Sequence, residues 1–394
     1  MKKSTKKAVF HTTEVVVLMV ITCIVALAMG FFLGNRIDYT LTSKTEEDEH
    51  VVEFLENYQY IIDNYYGEVD SETLMDGALD GMLAALGDDY STVISSDTFD
   101  AQLEGNYEGV GIEIYSNGNE IIILSVFEGS SAAEAGLKVG DIIVSIDGIS
   151  YSGKASSDIA DYVSNSTASS FEFEILRDNT SMTVTLKRGN VTIPSVENKI
   201  FEKNGKKIGY IYIDIFATAT IDQFSEALNQ LEKENIDGLI LDVRGNSGGH
   251  LTTVVDILSN FLDSKNVIYQ TETKAETKKF YSRGKVTKTY PIVVLQNSSS
   301  ASASELLSIA LQEQYGATVI GETSYGKGTV QELVTTGDTE YKFTTKKWLS
   351  PNGNWIHEKG VTPNINVTLD TAYYDNPIDV NDNQLQRALE EITK

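Results

Sequence analysis

Ser302 and Lys327 are side chains whose types and settings in this sequence suit nucleophilic catalysis. A serine hydroxyl is a poor nucleophile until a base takes its proton, and a lysine can be that base only when its amine is neutral near pH 7. Burial meets that condition, because desolvation disfavours the ammonium and lowers the lysine pKa. Ser302 falls where the apolar, β-branched run Ile292 to Leu295 gives way, through polar residues from Asn297, to the stripe Leu306, Leu307, Ile309, Ala310 and Leu311. That order predicts a buried strand, a turn and a helix. A serine at such an elbow has an exposed hydroxyl with backbone N–H groups nearby, as a nucleophile whose attack creates an oxyanion requires. Lys327 follows a second apolar run, Thr318 to Ile320, and Gly321, Gly326 and Gly328 let the chain turn tightly enough to bring it near the serine.

Each feature has a simpler explanation. Ser-rich turns cap helices, and lysines are ordinarily solvated. Gly321 to Thr329 nearly spells a phosphate loop, but Gly328 stands where a metal-binding Ser or Thr belongs and Thr329 to Val334 reads as a strand, not a helix. Histidine chemistry also competes. His11 precedes the hydrophobic N-terminal segment and His50 lies in a charged stalk, and neither His250 nor His357 sits in a triad motif, so both are expected to be structural or substrate-lining.

The larger motifs decide between these readings. Ser300-Ala301-Ser302-Ala303-Ser304-Glu305, the run from Gly321 to Gln331, and Leu241-Asp242-Val243-Arg244-Gly245-Asn246-Ser247-Gly248-Gly249 together resemble the C-terminal processing peptidases, tail-specific serine proteases with a Ser-Lys dyad. The resemblance spans roughly Glu49 to Val367 and departs at Ser247, where the family usually has proline. It implies Ser302 as nucleophile, Lys327 as general base and Gln331 as the residue that orients the base. It implies the N–H groups of Gly248 and Ala303 as the oxyanion hole, and it calls for no metal and no cofactor. A neutral glutamine suits its place, since it can hold the amine by hydrogen bonding without restoring the charge as a carboxylate would. The implied fold is α/β, a crotonase-like layered peptidase core preceded by a β-rich PDZ domain, an N-terminal helical region and one transmembrane helix. A non-catalytic PDZ scaffold or chaperone on a degenerate peptidase fold is the competing function, and the intact dyad argues against it.

The elements that must position these residues follow from the rest of the chain. Its 394 residues carry a formal charge of −26. Lys2, Lys3, Lys6 and Lys7 face only Glu14 in the basic segment 1–14, so the remainder is more acidic still and repels nucleic acid. Residues 15–34 hold an uncharged run, Val15 to Leu33, long enough to span a bilayer, with lysines on the side expected to stay cytoplasmic. Ala26-Leu27-Ala28 has the form of a signal-peptidase site, but the apolar run continues past it, which favours an uncleaved single-pass anchor in a bacterial cell membrane with the catalytic part outside the cytoplasm. The only cysteine, Cys23, lies within that run, so the exported part has no internal disulfide and no cysteine-based metal site.

After a tether over 35–48, residues 49–100 show helical spacing: Val52, Leu55, Tyr58 or Gln59, and Ile62, then a second helix with Ser71 as its expected cap and Leu74, Ala78, Met82 and Leu86 within it. The family resemblance implies self-association there, hence a homodimer. Residues 101–190 change to glycine-bounded β-rich runs around two short helical patterns. Gly109-Val110-Gly111-Ile112, with Ser130 to Asp141 and Ile146-Asp147-Gly148, resembles a PDZ domain, whose loop N–H groups would capture the terminal carboxylate of a protein or peptide substrate. Over 191–370 the pattern is strand, helix, strand, helix, an α/β core. Residues 371–394 are expected to be an acidic tail ending in a short helical pattern.

Overall fold

The structure, a computed structural model, describes residues 49–93, 103–285, 288–336 and 339–394. The expected basic segment, anchor and tether lie outside the described residues. Among the described residues no helix is long and apolar enough to cross a membrane. The chain divides into two compact units, one up to Gly81 and one from Met82 to Lys394.

Helix α1 (Glu49–Asn64) and helix α2 (Ser71–Ala84) follow the expected spacing. Asp70, not Ser71, supplies the cap of α2: its carboxylate accepts the N–H groups of Glu72 and Thr73, each at 3.3 Å, and the Thr73 hydroxyl at 2.6 Å. An aspartate offers two acceptor oxygens to the orphan donors of the first turn, where a serine offers one. Among the described residues α1 has no buried side chain, and Val51, Phe54 and Leu55 are exposed.

Beyond strand β1 (Thr92–Val93) comes the β-rich domain. It consists of β2 (Asn106–Gly109), β3 (Ile112–Ser116), β4 (Ile121–Val126), helix α3 (Ser131–Glu134), β5 (Ile142–Ile146), β6 (Ile149–Ser150), helix α4 (Ser156–Asn165), β7 (Ser170–Arg177), β8 (Thr180–Lys187) and β9 (Gly189–Thr192). Period-two alternation sends Ile121, Ile123, Phe171, Phe173 and Ile175 to one face, where Ile143, Ile146 and Leu186 join them in a closed core. The main sheet runs β3-β4-β5-β7-β8, which leaves β3 at an edge. β2 pairs antiparallel with β9, so the chain enters and leaves this domain side by side.

The peptidase-sized remainder is a layered α/β structure. Its elements are β10 (Val196–Lys203), β11 (Lys206–Ile213), α5 (Thr220–Lys233), β12 (Gly238–Asp242), α6 (Leu251–Leu258), β13 (Val267–Glu272), β14 (Thr277–Tyr281), β15 (Ile292–Gln296), α7 (Ala303–Ala310), β16 (Thr318–Gly321), β17 (Thr329–Thr336), β18 (Thr339–Leu349), β19 (Ile365–Asn366), α8 (Thr371–Asp375) and α9 (Asn383–Ile392). One sheet runs β10-β11-β12-β15-β16-β19, parallel from β11 onward. Both faces are covered, which is why these strands read as unbroken apolar runs. Leu241, Val294 and Val319 face helices α5, α6 and α7, while Ile240, Val293, Leu295 and Ile320 face Leu385, Leu389 and Ile392 of α9. The C-terminal segment, expected as a tail, therefore ends as a structural layer. A second sheet holds β1, β13, β14, β17 and β18, and β17 confirms that the glycine loop leads into a strand and not a phosphate-binding helix.

Candidate active site

Ser302 occupies the sharp turn between β15 and α7 with φ 53° and ψ −109°, a conformation that an L-residue adopts only under constraint. The constraint is visible. Every residue of α7 is buried, the Ser300 hydroxyl donates to Val243 O at 2.7 Å, and the Ser304 hydroxyl and the Ala301 N–H donate to Asn246 O at 2.9 and 3.0 Å. These bonds press the serine loop onto the loop after β12. A Cβ on Gly248 would lie 3.0 Å from both Ala301 O and Ser302 Cβ, so only glycine lets the two loops meet this closely. The N–H of Ala303, first residue of α7, is among the donors that a helix N-terminus leaves without an intrahelical partner. The N–H of Gly248 donates to Asn246 Oδ1 at 2.8 Å in this structure, so it is turned to its own loop.

A buried carboxylate joins the serine elbow to the lysine loop. Glu305, fully buried, accepts the N–H of Ser302 at 2.7 Å and that of Lys327 at 2.8 Å on the same oxygen, Oε2. Its Oε1 accepts the N–H of Gly326 and the hydroxyl of Ser324, each at 2.6 Å. Burial pushes the Glu305 carboxyl up, while these four donors act in the opposite direction. The lysine backbone is held from the other side by both tryptophans of the chain: Trp348 Nε1 donates to Lys327 O and Trp355 Nε1 to Gly328 O, each at 2.8 Å. His357, stacked on Trp355, accepts the Gly328 N–H on Nδ1 at 3.3 Å and so acts as a backbone clamp.

The Lys327 amine lies 4.4 Å from the ring centre of Tyr90. Burial lowers its pKa, the ammonium of Lys342 adds to that, and Asp88 and Glu305 oppose it. The Gln331 amide nitrogen donates to the hydroxyls of Thr329 and Thr344 at 3.1 and 2.9 Å, which leaves its oxygen as the acceptor for another donor. Asp88 closes the network: it accepts the Ser91 hydroxyl at 2.5 Å, and Ser91 Oγ in turn accepts the Thr344 N–H at 3.1 Å. His250 stands just before α6, and its Nε2 is buried without a hydrogen-bond partner among the described residues.

The structure thus draws Ser302, Ala303, Gly248 and Lys327 into one neighbourhood, with Gln331 on the strand that leaves the lysine loop. Glu305, Tyr90, Asp88, Trp348 and Trp355 are site residues to which sequence reasoning assigned no role. The available signal for Glu305 was its place three residues after Ser302 in the first turn of the helix, just before the apolar stripe. Tyr90 and Asp88 precede the whole PDZ region, and nothing local marks them. In the β-rich domain Gly109 pairs with Gly189, Val110 is buried, and Gly111 has φ 90° with no room for a Cβ against Ser130. Val110 O accepts the Ala132 N–H and Gly111 O accepts the Phe127 N–H, each at 3.0 Å, so the carbonyl side of this loop is tied down.

Comparison with known proteins agrees with this architecture. Residues 207–367 match peptidase family S41, residues 122–177 a PDZ domain, and residues 34–98 the N-terminal domain of the activating protease CtpB. The carboxy-terminal processing protease CtpB of Bacillus subtilis is 38% identical over 335 residues, covering 83% of this chain and 70% of that protein. The chain belongs to the S41 family of C-terminal processing peptidases. A second member, CtpA of Bacillus subtilis, is 33% identical over 359 residues, covering 89% of this chain and 76% of that protein. The S41 fold extends to a solved photosystem II D1 C-terminal processing protease, with TM-score 0.51 and 24% identity over 84% of this chain and 92% of the other. As an S41 peptidase the chain is a serine-type enzyme with a PDZ domain.

Proposed function

We propose that this S41 peptidase cleaves peptide bonds with Ser302 and Lys327, and that it takes substrates by their C-termini through its PDZ domain. The observation that carries the dyad is the shared Glu305 oxygen, which holds the backbone N–H groups of both residues at hydrogen-bond distance. In the first step the neutral Lys327 amine takes the Ser302 proton as Oγ bonds to the substrate carbonyl carbon. The carbonyl oxygen becomes an oxyanion facing the Ala303 N–H, and the Gly248 N–H would join it once turned from Asn246. The C–N bond then breaks, the Lys327 ammonium protonates the leaving amine, and water, deprotonated by the same amine, releases the acyl group. Gln331, whose amide nitrogen is taken by Thr329 and Thr344, would hold that amine through its carbonyl oxygen.

Capture precedes chemistry. The loop Gly109 to Ile112 would receive a terminal carboxylate, and the substrate would add as a strand along the unpaired edge of β3. The crotonase-like layering, the single-pass anchor over 15–34, the extracytoplasmic location and the homodimer belong to this same reading. Membrane fractionation of the full chain against one lacking residues 1–34 tests the anchor; equal solubility removes it.

For the chemistry, full-length protein is incubated with an unstructured protein substrate. Ser302→Ala and Lys327→Ala should each lower kcat by about a thousandfold or more, and the double variant should lose little beyond either, because the two act as one unit. Equal cleavage by wild type and Ser302→Ala would move the nucleophile to another residue, and no cleavage by wild type would leave only the non-catalytic scaffold.

A further inference from the structure

The Lys327 amine has a resting place of its own. Among the described residues Lys327 makes hydrogen bonds only through its backbone, to Glu305 and to Trp348. Its amine stands over the ring of half-buried Tyr90, 4.4 Å from the ring centre. An aromatic face attracts an ammonium and has no comparable hold on a neutral amine. The contact therefore suits the protonated form, which cannot take a proton from Ser302.

A tied-down turn sets the ring there. Asp88 Oδ1 accepts the Tyr90 N–H at 3.2 Å while Oδ2 accepts the Ser91 hydroxyl at 2.5 Å, an aspartate turn that fixes the backbone on both sides of the ring. Ser91 Oγ accepts the Thr344 N–H at 3.1 Å, and Thr92 and Val93 pair with Lys342 and Tyr341, so the turn is stitched to β18. The Thr344 hydroxyl also accepts the Gln331 amide at 2.9 Å. One residue of β18 thus anchors both the turn that carries Tyr90 and the glutamine expected to hold the neutral amine. The charged groups that face the amine are Asp88 from the same turn, Lys342 from β18 and Glu305 from α7, and His357, between β18 and β19, acts on Asp88. Ring and Asp88 both favour the ammonium, so the turn as a whole holds the amine in its charged form.

We propose that Tyr90 is a positioning residue of the base: its ring holds the Lys327 amine as an ammonium between substrate encounters, and the amine turns to Ser302 and Gln331 once its proton has passed to solvent. This rests on the reading of Lys327 as the general base. The consequence is a resting enzyme whose serine stays unactivated to a higher pH than burial of the lysine alone would set.

The test reads the amine directly. Full-length protein carrying Ser302→Ala is labelled with trace acetic anhydride across a pH series, and mass spectrometry follows the acetylation of Lys327, which only the neutral amine undergoes. The protein with Tyr90 intact is compared with Tyr90→Phe and Tyr90→Leu. Phenylalanine keeps the aromatic face, so its midpoint should match that of tyrosine. Leucine keeps an apolar cover without the face, so its midpoint should fall by about 0.4 to 1.5 pH units, the range for an ammonium resting on a ring. An unchanged or higher midpoint in Tyr90→Leu overturns the proposal, as does an equal fall in Tyr90→Phe, which would assign the effect to the hydroxyl. Should Tyr90→Leu fail to fold, pentafluorophenylalanine at position 90 keeps the shape of the ring and reverses the charge of its face: the midpoint should again fall, and an unchanged one overturns the proposal. The labelling does not depend on cleavage. If Lys327→Ala, with Ser302 intact, cleaves as well as wild type, the dyad reading fails, and the Lys327 titration still decides whether Tyr90 holds the amine.

Discussion

At the scale of single residues, the proposed chemistry turns on one lysine whose surroundings pull in two directions. Burial and the Lys342 charge favour the neutral amine, and Asp88 and Glu305 favour the ammonium. If neutral Lys327 is the base, kcat/KM rises with pH as the amine loses its proton, with a midpoint below the value of about 10.4 for a free lysine. Asp88→Asn removes a charge that stabilises the ammonium, so it should move that midpoint down; Lys342→Gln removes a like charge and should move it up. Each shift should be roughly half a pH unit for charges interacting across partly solvated protein. A pH–rate series on the three proteins checks this, and shifts of the same sign in both variants would remove Lys327 from the role. His357→Ala should leave the limb in place, because His357 serves the backbone of Gly328 and not the amine.

At the scale of elements, the site depends on how loops are tied to strands. Arg244, in the loop after β12, binds Asp242 at 2.5 Å, Asp382 at 2.8 Å and the Gln384 side-chain oxygen at 3.0 Å, with only 13% of its side chain exposed. This bridge fastens α9 to the loop that carries Asn246 and Gly248. Asp382→Ala leaves Arg244 paired with Asp242 but removes its second carboxylate and the acceptor for the Leu385 N–H that caps α9, so it should cost about 1–3 kcal/mol, and Asp382→Asn, which keeps an acceptor, should cost less. Urea unfolding measures both; an unchanged midpoint in Asp382→Ala would show that α9 is not held this way. The strands and helices around Ser302 were legible because burial on both faces and glycine turns leave strong local patterns. The spacing of Leu385, Ala388, Leu389 and Ile392 is also helical, but it does not say which face of which sheet the helix covers. The clamp on Lys327 was hidden for a similar reason: Tyr90, Trp348 and Glu305 are brought together by the pairing of β1 with β18 and by the elbow, and those contacts have no local sequence pattern. The turn of Gly248 toward Asn246 is a matter of one peptide plane, which residue types do not encode.

At the scale of the whole molecule, the PDZ domain is a side excursion from the peptidase chain. Its entry and exit strands pair from Asn106 with Thr192 to Gly109 with Gly189, so residues 110–188 can be excised and the ends rejoined with little strain. The chain just before β2 also touches the peptidase directly, since the N–H groups of Thr218 and Ala219 donate to Leu103 O and Glu104 O at 2.9 and 3.1 Å. A domain that only concentrates substrate should, when removed, raise KM for a long unstructured substrate and leave kcat nearly intact. One that shifts the peptidase between arrangements should change kcat at saturation, even for a short peptide. The bonds that tie the entry to the PDZ domain onto the peptidase favour the second outcome, and steady-state kinetics of the excised protein separate the two. The central claim, that Ser302 is the nucleophile and Lys327 its base, is tested most directly by trapping the covalent intermediate with an activated peptide ester and locating the acyl group by mass spectrometry. The acyl group should be found on Ser302, form faster as pH rises, and fail to form in Lys327→Ala. An acyl group on another residue, or undiminished acylation of Ser302 in Lys327→Ala, would contradict it.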